Sequence, residues 1–193
     1  MPAVSSPWLG DQEAKPAPGP LRRIQALINT VDRESGQDRM ARAVDARPWL
    51  VENGLLDPGA ALSDRDLAEV VDVREALRAM TVHNADGPIP TPQALAPLRQ
   101  IAATAQADAV LDDDGTVRLQ PRGDSVVARL LDVLLVVKDA QLEGTWGHQK
   151  ACANEDCRWA FYDRSRNHGG TWCDMATCGN KLKNRDFRAR RRK

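Results

Sequence analysis

Residues 152–181 read CANEDCRWAFYDRSRNHGGTWCDMATCGNK, and they contain all four cysteines of the chain: Cys152, Cys157, Cys173 and Cys178. The pattern is Cys-x4-Cys, fifteen residues, then Cys-x4-Cys. Two close pairs joined by a loop have the spacing of a four-thiolate zinc site. Each pair takes a tight turn, and the loop lets the turns face each other, which sets four soft ligands at the corners of a tetrahedron. Disulfides are disfavoured in a reducing compartment. A redox pair usually reads Cys-x2-Cys, and the familiar iron–sulfur spacings differ. His168 in the loop could replace a thiolate, but with four cysteines present it reads as a surface residue. A closed four-thiolate site leaves no open coordination position, so the expectation is one structural Zn2+ rather than catalysis.

Outside this knot the chain has the makings of an ordinary core. It has 193 residues, of which 42% are hydrophobic, enough to fold without disulfides. From Gly147 onward it carries 12 Lys and Arg against 5 Asp and Glu, and before that 15 against 22, so a formal net charge of zero conceals a basic end and an acidic body. A basic end suggests an anionic partner; the competing reading is a solvated tail that aids solubility. The first residues, MPAVSSPWLGDQEAKPAPGP, lack the charged and apolar regions of a signal peptide and read as a flexible leader. The longest apolar run, LLDVLLVV at 130–137, is too short to span a bilayer. A cytoplasmic protein without a membrane partner is expected.

Helical periodicity dominates up to about residue 145. The stretch 21–32 places Leu21, Ile24, Leu27, Ile28 and Val31 on one face. A short helix is expected over 44–53, ended by Gly54. Ser63 caps a long helix to Asn84, which DGPIP at 86–90 must break. Thr91 then caps a helix reaching about residue 107, with Pro92 at its first position. Two β-prone runs, 109–111 and 116–119, flank Asp112-Asp113-Asp114-Gly115 and predict a hairpin. Asp124 is expected to cap a helix over 125–143. Its apolar residues lie nearly all round, which would make it the central buried helix. Gly144 and Gly147 read as a hinge. Arg74 and Arg78, one turn apart, suit a small anionic effector, or carboxylate partners such as Glu69 or Glu75.

Within the knot, RWAFYDRSRN interleaves Trp159, Phe161 and Tyr162 with Arg158, Arg164 and Arg166. Such a surface can stack bases and hold phosphates, although a tiny zinc module also needs its aromatics as core. Asp163 is expected to pair with Arg164 or Arg166, or to cap a turn. Asp174 can cap a helix that carries Lys181, Lys183, Arg185, Arg188, Arg190, Arg191, Arg192 and Lys193, with Gly179 as a kink. These eight, with Arg164 and Arg166, are the candidate nucleic-acid contacts.

The stretch from about Lys150 to Lys193 resembles the CGNR zinc-finger family through ACANEDC, FYDRSRN, WC-x-M, Cys178-Gly179-Asn180-Lys181 and RARRR. Lys181 stands where the family's naming tetrapeptide has arginine, which keeps the charge but loses the planar fork. The loop His168-Gly169-Gly170-Thr171 is also poor in basic residues. Upstream, LINTVD at 27–32 and REALR at 74–78 look like the ABATE domain, the usual partner of this finger. The resemblance implies a zinc-ribbon-like module joined to a mostly helical domain, in a stress-induced transcription regulator or a nucleic-acid-binding protein.

The expected architecture is mainly α with a small β-hairpin. It divides into a leader (1–19), a helical ABATE-like domain (20–146) and a zinc-ribbon or treble-clef-like module ending in a basic helix (147–193). Two functional readings follow. In one, the finger binds DNA or RNA, with DNA the first expectation, while the helical domain senses a signal or forms a homodimer. In the other, zinc scaffolds a protein-interaction or ligand-sensing module that binds no nucleic acid. His83, His148 and His168 carry no motif around them, so no enzyme is expected.

Overall fold

The computed structural model describes residues 13–181. Helices α1 (Leu21–Ile28), α2 (Ala43–Glu52), α3 (Asp64–Asn84), α4 (Ala96–Thr104) and α5 (Val126–Leu142) make the body. Strands β1 (Val31–Asp32) and β2 (Gln37–Asp38), β3 (Ala107–Leu111) and β4 (Val117–Pro121), and β5 (Gln149–Ala151) and β6 (Ala160–Tyr162) pair as three antiparallel hairpins. The result is mainly helical with small hairpins, as the periodicity implies. No helix of the described residues is long and apolar enough to cross a membrane.

The long helix begins where its cap predicts. Ser63 Oγ accepts from Asp66 N at 3.1 Å, and the Asp66 carboxylate accepts from Ser63 N at 3.0 Å, a reciprocal box that satisfies two orphan donors. Helices α2, α3 and α5 all stop by the same device, a left-handed residue bracketed by two backbone bonds. In α2, Gly54 (φ +67) lies between Gly54 N→Val51 O (3.1 Å) and Leu55 N→Leu50 O (2.8 Å). In α3 the left-handed residue is Asp86 (φ +61), and Gly87 N reaches Val82 O at 3.0 Å. A Cβ on Gly87 would lie 2.6 Å from Val82 Cγ1, so the close approach requires glycine. Gly144 (φ +74) ends α5 with Thr145 N→Ala140 O at 2.8 Å, and Trp146 follows directly into the core at 6% exposure.

Three elements differ from the sequence expectation. The first helix stops at Ile28 rather than near residue 32. Thr30 Oγ1 donates to Leu27 O at 2.8 Å, and the Asp32 carboxylate accepts from Glu34 N (3.0 Å) and Ser35 Oγ (2.6 Å), which folds β1–β2 instead. Thr91 does accept from Ala94 N at 3.2 Å, but α4 starts only at Ala96. Pro97 has no N–H for Gln93 O, which accepts from Ala96 N at 3.1 Å in a tighter turn. The N-cap of α5 is Ser125, not Asp124.

The central helix is α3 rather than α5. It touches α1, α2, α4, α5 and β5, while Leu134, Leu135 and Val136 of α5 stay partly exposed. Ile24, Leu27 and Ile28 of α1, Leu50 of α2 and Val70 and Leu77 of α3 are fully buried. Each such side chain stabilises the fold by about 1.5–3 kcal/mol relative to exposure. Ala160 and Tyr162 of β6 join this same core, whereas Phe161, between them in sequence, faces the cysteines. The two-residue alternation of one strand thus serves two clusters.

Leu77→Ala should cost about 2–5 kcal/mol in urea unfolding. Leu142→Ala, at a position 79% exposed, should stay within about 0.5 kcal/mol.

Candidate metal centre

The first cysteine pair sits on the turn between β5 and β6. Cys152 N donates to Trp159 O at 2.9 Å and closes the hairpin. Cys157 N and Arg158 N both donate to Asn154 O, at 3.0 and 2.9 Å, and Arg158 takes a left-handed backbone (φ +49) that curls the chain round the sulfurs. The second pair arrives after a loop pinned by Ala153 N→Thr171 O at 3.0 Å. Asp174 caps the next turn as expected, accepting from Ala176 N at 2.8 Å. That turn, Met175–Gly179, is π-helical rather than α-helical, with Gly179 N bonded to Asp174 O at 3.1 Å. Met175 is 45% exposed while Cys178, three residues on, is buried. A Cβ on Gly179 would meet Met175 Sδ, the end of a flexible side chain, at 2.5 Å and Trp172 Cδ1 at 3.2 Å, so a larger residue would displace the methionine and press on the indole.

These turns bring all four Sγ atoms within 4.8 Å of one another, and no two form a disulfide. Cys157 Sγ and Cys173 Sγ stand 3.8 Å apart. Four sulfurs about 2.3 Å from a common ion in a tetrahedron would be spaced about 3.8 Å apart, so the donor set fits zinc. Without a cation the thiols must share protons. Hydrogen bonds from Cys157 and Cys173 hold the Cys152 thiol low, while Cys157 and Cys173 are pushed up by donating to Cys152 and by burial. A divalent ion removes that conflict by favouring four thiolates.

Phe161 is 1% exposed under the cysteines, with Trp159 and Trp172 packed against the cluster, so these aromatics serve mainly as core. Asp163 pairs with neither Arg164 nor Arg166. It accepts from Lys150 Nζ at 3.2 Å, with both side chains at most 6% exposed, and from Ser165 N (3.0 Å) and Gly170 N (2.7 Å). Burial would raise this carboxyl, but the bonds from Ser165, Gly170 and Lys150 outweigh it and hold it well below the usual range. His168 lies away from the sulfurs, with its ring 3.9 Å from that of His148.

The other nominated cations are spread out. Arg164 and Arg166 are exposed on the loop after β6, and Arg164 donates to Pro16 O at 3.1 Å. Lys181, one turn beyond Cys178, donates to Glu34 Oε1 at 3.0 Å. Lys183, Arg185, Arg188, Arg190, Arg191, Arg192 and Lys193, with the expected basic helix, lie outside the described residues. Arg74 and Arg78, nominated for an anionic effector, are occupied internally. Arg74 grips Asp38 with two bonds (2.7 and 2.9 Å), and both arginines bond Glu75; Glu69 instead faces Arg65.

Several residues that build the site carry no local signal. The Asn29 side chain pairs with the Ala160 backbone in both directions, accepting from N at 2.7 Å and donating to O at 2.9 Å. Gln25 accepts from Ala17 N at 2.6 Å and donates to Lys15 O at 3.1 Å. Residues 13–17 therefore lie as a strap across β6, with Tyr162 N bonded to Lys15 O at 3.0 Å. Burial raises the Glu13 carboxyl on this strap to about 7.

Two protein-family models match the chain. One, the CGNR zinc finger, covers residues 148–191; the other, ABATE, described as "Putative stress-induced transcription regulator", covers residues 21–140. No curated protein matches it.

Cys173→Ser should lower Co2+ affinity by more than about 100-fold, beyond what outer-sphere changes cause, and weaken the thiolate charge-transfer absorption that reports binding. Asp163→Asn should destabilise the fold by about 3 kcal/mol at neutral pH, because it leaves Lys150 buried without a counter-charge. A carboxyl held low stabilises above its unfolded value of about 4 and loses that contribution as pH falls through its folded value. Urea melts of the parent should therefore weaken more steeply on acidification below about pH 4 than those of the variant.

Proposed function

The chain belongs to the ABATE family and carries a CGNR zinc finger, and on that premise we propose that it is a cytoplasmic transcription regulator whose finger holds one structural Zn2+ and presents its basic end to nucleic acid. The observation that carries the metal reading is the group of four sulfurs within 4.8 Å of one another. Cys152, Cys157, Cys173 and Cys178 would hold the ion, which supplies no reaction chemistry when all four positions are protein thiolates. The chain's own residues shape the site: Asn154 turns the first pair, and Asp174 with Gly179 turns the second. A closed site argues for a non-enzymatic role.

The nucleic-acid reading rests on charge. The segment from Gly147 onward carries 12 basic residues against 5 acidic ones. Arg164 and Arg166, two of those twelve, are exposed. Contacts of this kind give affinity to phosphate without sequence information. DNA is placed ahead of RNA because the family is described by transcription. The helical part would act as sensor or dimerisation unit. One observation favours a different reading, a protein-interaction or ligand-sensing module without nucleic acid: the acidic body already engages Lys181 through Glu34.

A salt titration of binding to mixed duplex DNA and to RNA separates the two. The regulator reading expects affinity to fall about 10³-fold or more between about 50 and 200 mM salt if six or more phosphates are engaged. Binding that is absent, or indifferent to salt, overturns it in favour of the second reading.

A further inference from the structure

We propose that the metal centre is not complete within the cysteine module, and that Glu34 of the β1–β2 hairpin and Arg78 of α3 are positioning residues that set its metal affinity. The inference rests on the zinc reading above. It concerns what surrounds the thiolates rather than the thiolates themselves.

The first tie runs through Glu34. Asn154, 3% exposed, donates from Nδ2 to Glu34 Oε1 at 3.1 Å and to Cys178 Sγ at 3.8 Å. The same Glu34 oxygen accepts from Lys181 Nζ at 3.0 Å. Four thiolates round a divalent ion leave an excess of negative charge, and donors aimed at the sulfurs offset it. Glu34 bears a negative charge itself, so it does not supply that compensation. It orients two groups that do: an amide N–H on Cys178 Sγ, and an ammonium one turn beyond that cysteine.

The second tie runs through Arg78, which is 4% exposed. It donates to Arg158 O at 3.0 Å, the residue after Cys157, and to Ile28 O at 2.6 Å at the end of α1. Its charge is met by Glu75 at 2.9 Å, and Glu75 also accepts from Arg74 at 2.8 Å. Arg74 in turn holds Asp38 of β2, which pairs with Val31 at the base of the hairpin whose turn carries Glu34. The two ties therefore meet on one hairpin: the side-chain bonds from the first cysteine pair end at Asp38 at its base, and those from the second pair end at Glu34 in its turn, with the β1–β2 backbone pairing between them. Groups linked in one such network couple energetically, and the coupling is reciprocal.

The test uses the full chain and zinc alone, with affinity read by competition against a chelator and the Co2+ spectrum as a second readout. Glu34→Ala should weaken zinc about tenfold or more, in the range of outer-sphere substitutions, and should shift the cobalt bands. Glu34→Gln keeps an oxygen for Asn154 and Lys181 and should recover most of the loss. Arg78→Met should weaken zinc as well. Because it also opens the core, Glu34, whose side chain is 39% exposed, carries the decision. A Glu34→Ala chain that binds zinc within about twofold of the parent, with an unchanged cobalt spectrum, overturns the proposal and leaves the metal reading intact. A parent chain that takes up no zinc overturns the metal reading and this one with it.

Discussion

Four sulfurs, buried or half-buried and confined within 4.8 Å of one another, set the charge problem on which the rest of the cysteine module depends. Ionised, they repel one another; protonated, they lose their use as ligands. A divalent cation resolves the conflict, and the local structure makes sense as preparation for it. The left-handed Arg158 curls the first pair. The π-helical turn at Met175–Gly179 swings Cys178 inward. Phe161, Trp159 and Trp172 close over a cluster too small to be a core by itself. On the zinc reading proposed above, a bound metal together with aromatic packing would do for this segment what hydrophobic burial does for the helices.

The seam between the cysteine module and the helices is polar as well as apolar. Ala160 and Tyr162 enter the main core, yet the backbone of β6 is held by the side-chain amides of Gln25 in α1 and Asn29 at its end, and by the strap at 13–17. The side of β6 turned away from β5 has no strand beside it and needs such partners, because unpaired backbone groups are costly once buried. Asn29 satisfies both groups of Ala160, and Gln25 anchors the strap. Arg78 does the same for the carbonyls of Ile28 and Arg158. Buried polar groups of this kind add modestly to stability but strongly to definition, since each leaves an unsatisfied partner if the pieces slide.

Charge is distributed along the same seam. The acidic body lends one carboxylate to the basic end, where Glu34 meets Lys181, and within the body Asp38 and Glu75 neutralise Arg74 and Arg78. Arginines that look available on a helical wheel are thus consumed in holding the fold. The same spacing read from sequence alone suited an effector site equally well, because a helix face says where a side chain points and not what meets it.

What the sequence determined by itself is whatever depends on near neighbours. The cysteine spacing specified the donor set, Ser63 and Asp66 the start of α3, Gly54 the end of α2, and the Asp-Gly turn the β3–β4 hairpin, because caps, turns and chelating knuckles form within a few residues. The stop of α1 at Ile28 and the delayed start of α4 were partly encoded, in Asp32 and Pro97, but periodicity outweighed them on reading. The tertiary structure alone decided which helix is central and what completes the cysteine site. Asn29 and Ala160 are 131 positions apart, Arg78 and Arg158 80, Glu34 and Lys181 147. No pattern in one chain marks such pairs, since any buried amide or arginine can find its partner wherever folding brings one, and only the assembled core brings these together.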